Sequence, residues 1–202
     1  MMQVEIRGDS VHVSGYVNAV GRDSRPIMGH DGNRFVEQIE PGAFGRAIDA
    51  AKTAGRSIRM MLDHRRDIGG TGENLKLKED SIGLFAEADI TDATVIDKAR
   101  AQKLRGWSFG FTAKNERSEQ TEDLPRRRVK DLELVEVTVV DDRARPCYAG
   151  TSIETRSEDD AETIEQRHED DGTEYTEAAK DEKEPKVTST DWADATIRRL
   201  SV

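Results

Sequence analysis

Cysteine is nearly absent from this chain, since its 202 residues include only Cys147. A single cysteine excludes an intrachain disulfide and a cysteine-rich zinc site. Aromatic residues make up 5% of the chain, and no apolar run approaches the roughly 18 residues of a membrane-spanning helix. The first residues also lack an apolar segment of signal-peptide length. We therefore expect a soluble protein made inside a cell, with no membrane partner.

Positive charge is in deficit, and the deficit is unevenly distributed. Residues 151–202 contain 16 acidic and 7 basic residues, whereas residues 1–150 contain 25 and 24. A nucleic-acid-binding protein needs the opposite balance, so we expect no nucleic-acid partner. The basic run PRRRVK at 125–130 is interpreted as a solvated loop, or as the partner of an acidic segment such as the chain's own tail.

Strand patterns dominate the first 150 residues. Alternating apolar residues around Gly8–Asp9 predict a hairpin, and similar patterns predict strands over 57–62 and 126–140. Helical spacing predicts two helices inserted between strands, over 42–54 and 91–105. With about seven strands in total, we expect a strand-dominated α+β fold. Its predicted form is a small closed or nearly closed β-barrel with helices packed outside.

The predicted domain boundary lies at residue 150. Residues 151–202 have few large apolar side chains, so we expect an acidic and largely disordered tail. Two segments of the tail have helical patterns, 160–167 and 190–202. The second, TDWADATIRRLSV, has an incomplete apolar stripe and is interpreted as a terminal docking helix, because such a stripe after a charged linker is more typical of a docking peptide than of a core.

Ser108 is a candidate nucleophile in the run LRGWSFGFTA at 104–113. In a strand it shares one face with Gly106 and Gly110, while the aromatic side chains of the run take the other face. The glycines leave room for another backbone, such as a peptide substrate, to approach the hydroxyl. The alternative is a small side chain that fills space where strands pack tightly.

His64 is a candidate general base. It follows the apolar run SIRMMLD and precedes the glycine-rich IGGTG, at the predicted end of a strand. Imidazole ionises near neutral pH, so a histidine placed there can take a proton from a serine hydroxyl and return it to a leaving amine. The alternative is a surface histidine in a turn. The other three histidines have no comparable partner pattern: His12, His30 and His168.

Glu136 is the candidate acidic partner of that histidine. It lies among β-branched residues in LELVEVTVV, so its carboxylate is at least half buried and requires a partner such as an imidazole. The alternative is a solvent-facing glutamate on an edge strand. A metal site is not predicted, because Asp63, His64 and Asp67 lack a second histidine at ligand spacing.

Six segments together resemble a known family in their order along the chain. They are VSGYVN (13–18), FVEQIEPGAF (35–44), MMLDHRRDIGGTG (60–72), IGLFAEADI (82–90), GWSFGF (106–111) and LVEVTVVDDRARP (134–146). In this order they resemble the prohead proteases of tailed bacteriophages, capsid-maturation serine proteases whose fold is similar to that of the herpesvirus assemblins. The resemblance runs from about Val13 to about Thr151.

The resemblance implies a role for each candidate residue. Ser108 is implied as nucleophile and His64 as general base. Glu136 is the best match for the third, orienting residue, which is a histidine in assemblins. The segment DDRAR corresponds to the region that supplies oxyanion contacts in assemblins, which makes Arg143 or Arg145 a candidate for oxyanion or substrate binding.

The function implied by this resemblance is a serine endopeptidase without metal or organic cofactor. It would associate with itself, enter the assembling prohead in the host cytoplasm, and cleave scaffold, the scaffold-like region of the major capsid protein precursor, and itself. The acidic tail fits a removable targeting or packing segment. The alternatives are a non-catalytic scaffold on a protease-like barrel and an oligomeric β-barrel binding module. The joint presence of His64, Ser108 and Glu136 favours catalysis, because neither alternative needs them.

Overall fold

The computed structural model describes residues 2–29, 31–142, 164–169 and 173–178. Twelve strands and two helices lie in this part of the chain. The strands are β1 (Met2–Arg7), β2 (Ser10–Ala19), β3 (Ile27–Met28), β4 (Arg34–Ile39), β5 (Arg59–Leu62), β6 (Arg66–Gly70), β7 (Leu75–Glu79), β8 (Gly83–Ile90), β9 (Leu104–Glu119), β10 (Arg126–Asp141), β11 (Glu165–Glu169) and β12 (Thr173–Glu177). The helices are α1 (Ala43–Thr53) and α2 (Ala93–Arg100).

The strands form one sheet of five and one of seven. The first has the order β12-β1-β2-β8-β7, and the second the order β11-β9-β10-β4-β3, with β5 also paired to β10 and β6 to β5. The strand-dominated α+β class and the two inserted helices are confirmed. The described residues hold more strands than the roughly seven expected, because short strands also form within predicted turns and within the predicted tail. Closure of these sheets into a barrel stays a prediction.

One apolar cluster connects both sheets with both helices. Its largest side chains include Trp107, Phe44, Phe109 and Phe111, all at most 2% exposed. Phe44 of α1 meets Phe109 of β9 edge to face, with 5.4 Å between ring centroids. Burying aromatic rings of this size is the strongest favourable contribution available to so polar a chain. The core therefore fixes the position of β9 from its aromatic face.

The ends of α2 explain a difference from the sequence-based expectation. Asp92 begins the helix as expected, accepting hydrogen bonds from the amides of Thr94 (2.9 Å) and Val95 (3.2 Å). The helix ends at Arg100 rather than near residue 105. Gln102 adopts a left-handed φ of 53°, and the amide of the next residue closes the helix end on the carbonyl of Lys98. A left-handed glutamine gives no sequence signal comparable to glycine.

Two strands come from the predicted tail. β11 pairs antiparallel with β9, and β12 pairs parallel with β1. The prediction of a helix over 160–167 is wrong for the residues that the structure describes, because residues 165–167 belong to β11. A neighbouring strand edge and charged partners stabilise this segment, and neither is visible in its own composition. Residues 151–163, which include the first part of that predicted helix, lie outside the described residues, and so does the predicted docking helix at 190–202.

Candidate active site

Ser108 lies in the first half of β9, between two other strands. Its register partners are Thr138 on β10 and His168 on β11. The expected alternation holds, because Phe109 and the other aromatic residues of the run are buried in the core. Ser108 is itself 0% exposed, which means that its hydroxyl is covered by other protein atoms.

His64 is presented by a tight turn directly after β5. Asp63 and His64 both have left-handed φ values, 52° and 56°, an uncommon conformation for residues other than glycine. Asp63 holds the turn against the end of β10: its amide donates to the carbonyl of Val139 (3.0 Å), and its Oδ1 accepts from the amide of Asp141 (2.8 Å). This anchoring keeps the imidazole beside β9 and β10. Strained backbone of this kind is often found at functional sites.

Glu136 projects from β10 next to the imidazole. β10 pairs with β9 so that Glu136 lies opposite Gly110, with an irregularity in register between Leu134 and Glu136. A Cβ atom at position 110 would lie 2.9 Å from Glu136 Cγ, so only glycine leaves room for this carboxylate. Glu136 is 3% exposed, as expected for a buried acid that has a partner.

The structure brings Ser108, His64 and Glu136 into one chain of hydrogen bonds. His64 Nδ1 lies 2.6 Å from Glu136 Oε1, and His64 Nε2 lies 2.8 Å from Ser108 Oγ. A carboxylate can only accept, so Nδ1 carries the hydrogen and donates it to Glu136. Nε2 of the neutral ring is then free to accept the serine proton. This tautomer is the one that general-base catalysis requires.

Two further side chains contact this chain of hydrogen bonds. Thr138 Oγ1 lies 3.2 Å from His64 Nδ1, and Arg59 Nη2 lies 3.6 Å from Glu136 Oε2. Neither was predicted from the sequence. Thr138 could have been found, because it lies two residues after Glu136 on the same strand face. Arg59 could not, because its proximity depends on the parallel pairing of β5 with β10.

A segment of the same chain lies against the candidate nucleophile. The strand β11 extends the sheet beside β9, and the Ser108 hydroxyl donates a hydrogen bond to the carbonyl oxygen of Arg167 at 2.6 Å. Sequence reasoning anticipated that another backbone could approach this serine. It did not identify residues 165–169 as that backbone.

A charged cluster holds this segment in place, formed by Glu37, Arg127, Glu165 and Arg167. Arg167 donates from Nε to Glu37 Oε1 and from Nη2 to Glu37 Oε2, both at 2.7 Å. Arg127 donates to Glu37 Oε2 at 2.9 Å and to Glu165 Oε1 at 2.6 Å. The basic run at 125–130 therefore contacts the predicted tail, which was one of the two interpretations of that run.

The charged cluster shifts the ionisation of its members. Burial would raise the pKa of Glu165, but hydrogen bonds and attraction from Arg127 and Arg167 outweigh it and hold that pKa below its usual value. Burial likewise acts to lower the pKa of Arg127, but the hydrogen bonds to Glu165 and Glu116 raise it above its usual value. Both shifts favour the charged forms of Glu165 and Arg127 near neutral pH.

The other candidates are placed elsewhere or lie outside the described residues. Arg143 and Arg145 belong to a segment that the structure does not describe. His12 Nδ1 lies 2.8 Å from Asp89 Oδ1, where the antiparallel strands β2 and β8 pair in the other sheet. Within the described ranges, no three histidine, cysteine or acidic side chains are grouped to hold a metal ion. No helix in those ranges is long and apolar enough to cross a membrane.

A serine hydroxyl, an imidazole and a carboxylate connected in this order are typical of serine hydrolases. Comparison with family models agrees: the model described as caudovirus prohead serine protease matches residues 1–167. The chain belongs to this family and is a serine-type endopeptidase of phage prohead maturation. Its context is the phage capsid inside the host cell, with capsid-associated partners. No curated protein and no solved structure matches the chain.

Proposed function

We propose that Ser108 is the nucleophile of this peptidase, His64 its general base and Glu136 the residue that orients the imidazole. The observation that supports this most directly is the unbroken chain of contacts from Glu136 Oε1 through the imidazole to Ser108 Oγ, at 2.6 Å and 2.8 Å. Thr138 acts as a positioning residue, since its hydroxyl lies against the same ring nitrogen as Glu136.

The reaction proceeds by acyl transfer. His64 Nε2 takes the proton of Ser108 while Oγ bonds to the carbonyl carbon of the substrate, and Glu136 stabilises the imidazolium that forms. The imidazolium then gives the proton to the leaving amine as the peptide bond breaks. Water attacks the resulting ester by the same route in reverse, releasing the carboxyl product and restoring Ser108.

Backbone amides and a basic side chain after β10 stabilise the oxyanion in this proposal. β10 passes Ser108 at Thr138 and ends at Asp141, so Arg143 and Arg145 follow shortly after the strand that borders the nucleophile. Donors placed where negative charge develops are a large part of the rate enhancement in acyl transfer. We propose Arg143 or Arg145 for this role.

The proposed substrates are the scaffold, the scaffold-like region of the major capsid protein precursor and the protease itself. Self-associated protease enters the prohead in the host cytoplasm, and residues 151–202 include a removable segment attached to a barrel domain. No metal or organic cofactor is required. A non-catalytic scaffold would not explain the site, because a buried histidine–carboxylate pair costs desolvation free energy without contributing to assembly.

Co-expression with the capsid protein precursor tests this proposal. We expect the wild-type protein to shorten the precursor and the Ser108→Ala variant to leave it at full length, as measured by intact mass. Ser118→Ala is a matched control, because Ser118 is an exposed serine on the same strand. A precursor that is processed equally by Ser108→Ala would contradict the assignment and leave the scaffold alternative.

A further inference from the structure

The segment 165–169 lies on the active site in the manner of a peptide substrate. It adds an antiparallel strand to β9, pairing Gln166 with Gly110 and Arg167 with Phe109. Strand addition of this kind supplies main-chain hydrogen bonds regardless of sequence, while side-chain pockets provide selectivity. The register brings the backbone after Arg167 opposite the nucleophile.

The Arg167 carbonyl group is the one closest to the nucleophile. Its oxygen lies 2.6 Å from Ser108 Oγ. Because a C=O bond is about 1.23 Å long, the carbonyl carbon lies within about 3.8 Å of Oγ. That limit includes the range of about 3–3.5 Å in which bond formation can begin. The bound segment therefore presents the carbonyl group of Arg167 directly to the nucleophile.

The Arg167 side chain occupies a site that matches arginine chemically. Glu37 is 4% exposed and binds the guanidinium with both carboxylate oxygens. The guanidinium carbon also lies 5.2 Å from the centre of the Phe111 ring. A planar guanidinium satisfies the bidentate carboxylate and the aromatic face together, and an ammonium group cannot do both as well.

Contacts on both sides hold the bond that follows Arg167. On the amino-terminal side, Glu165 is bound by Arg127. On the carboxyl-terminal side, β12 pairs with β1, and the Tyr175 hydroxyl donates to the carbonyl of Leu104, the first residue of β9, at 2.6 Å. A bond held at both sides loses little further freedom on reaching the transition state.

We propose that this protease cleaves after arginine, that Glu37 selects the arginine side chain, and that Arg167–His168 is its own cleavage site. This inference rests on the proposed catalytic roles of Ser108 and His64. It also defines a substrate class: extended peptides with arginine before the scissile bond and an acidic residue two positions earlier, where Glu165 meets Arg127.

The bonds and protons of the step balance with water as the only co-reactant. Ser108 Oγ bonds to the carbonyl carbon of Arg167, and the bond from that carbon to the His168 nitrogen breaks. His64 carries the serine proton to that nitrogen, which becomes a free amino group. Water then hydrolyses the ester, so that Arg167 ends in a carboxylate and Ser108 regains its hydroxyl.

Two measurements on the full-length protein test the proposal. Incubated wild-type protein should yield fragments 1–167 and 168–202 by intact mass, and Ser108→Ala should yield neither. Arg167→Glu should abolish cleavage at this bond. Added peptide IEQRHED should be hydrolysed after arginine by the wild type, and a peptide with glutamate in place of that arginine should not be.

Glu37→Gln tests the selectivity directly. We expect it to reduce kcat/KM for the arginine peptide by about 10²-fold or more, since it removes one charge of a buried bidentate pair. Glu116→Gln is the matched control: Glu116 binds Arg127 from an exposed position and does not contact Arg167, so it should change kcat/KM little. Circular dichroism verifies that each variant is folded.

The outcomes separate this inference from the proposed function. Wild-type protein that processes the capsid precursor but leaves Arg167–His168 intact would overturn the self-cleavage site while the catalytic roles stand. An unchanged kcat/KM in folded Glu37→Gln, or equal hydrolysis of the arginine and glutamate peptides, would overturn the selectivity. Wild-type protein that cleaves neither precursor nor peptide would overturn the catalytic roles themselves.

Discussion

Two polar groups of residues meet at Arg167, and they are built differently. The proposed catalytic residues Ser108, His64 and Glu136 face its carbonyl oxygen, whereas its side chain is bound by Glu37 of the charged cluster, which Arg127 also contacts. In the proposed mechanism, the first group moves a proton between nitrogen and oxygen. The second group consists of ion pairs between arginine and glutamate side chains.

The difference separates chemistry from recognition. An imidazole can change its charge near neutral pH, so it can transfer protons, but it gives little fixed charge for binding. Guanidinium–carboxylate pairs cannot take part in proton transfer near neutral pH, and when buried they bind with strict geometry. We therefore expect substitutions in the first group to reduce the rate of the chemical step, and substitutions in the second to change which peptides bind.

His64→Ala should reduce the cleavage rate more than any substitution of Glu136 or Gly110. Without the imidazole the serine proton has no acceptor, so cleavage of the capsid precursor should fall by about 10⁶-fold under single-turnover conditions. His12→Ala is the control, because that histidine pairs with Asp89 in the other sheet. Retention of appreciable activity in folded His64→Ala would show that another group acts as the base.

Glu136→Gln should cost less than removal of His64. The amide keeps the shape of the side chain but can stabilise the wrong tautomer, a change that costs about 10⁴-fold in related chemistry. Single-turnover cleavage rates measure it. Glu133→Gln on the same strand is the matched control, since Glu133 pairs with Arg56 and Lys114 and not with His64. Equal rates for Glu136→Gln and wild type would remove Glu136 from the site.

Gly110→Ala should displace both the Glu136 carboxylate and the neighbouring β11 segment through a steric clash, without changing any charge. The added Cβ would lie 2.9 Å from Glu136 Cγ and 3.3 Å from Ile164 Cγ2, next to β11. We expect about 1–3 kcal/mol of lost stability in denaturant unfolding. A displacement of the carboxylate on the order of 1 Å should reduce activity by about 10²-fold. Gly45→Ala in α1 is the control, since its Cβ would meet its nearest neighbour at 3.4 Å; similar losses there would argue against a local effect.

Acid pH should weaken the charged cluster's hold on β11, which is the smallest effect predicted. The pKa of Glu165 is lowered from its ordinary 4.5, so its contribution is complete above 4.5 and is lost as the pH falls through the lower folded value. The charged groups facing it are Arg127 and Arg167, and Glu37 binds both of these arginines. Amide NMR signals of residues 165–167 in Ser108→Ala should show their Glu165-dependent shift below about pH 4.5.

Glu165→Gln provides the contrast for this titration. It has no carboxyl group to protonate at position 165, so the shift of these signals below pH 4.5 should shrink. Identical titrations of the two proteins would show that Glu165 does not control the attachment of β11.

Local sequence patterns predicted the parts of the fold that apolar periodicity encodes. The β1–β2 hairpin, α1 and the capping of α2 by Asp92 are confirmed because alternation, helical spacing and a capping carboxylate act over a few residues. The sequence also predicted Ser108, His64 and Glu136 as candidate site residues, since each interrupts an apolar strand or follows one. Their catalytic roles stay predictions until the variants are measured.

Only the tertiary structure decided where the described strands after residue 150 pair. β11 has few apolar residues, and its charged partners, Glu37 and Arg127, are more than 30 residues away in sequence. Long-range ion pairs and the free edge of β9 carry no local period, so composition predicted disorder where the fold supplies β11. The sequence alone determined which side chains could perform the chemistry, because residue type sets proton affinity. The fold determined which peptide lies against them, because that depends on which strand edges and charges come together.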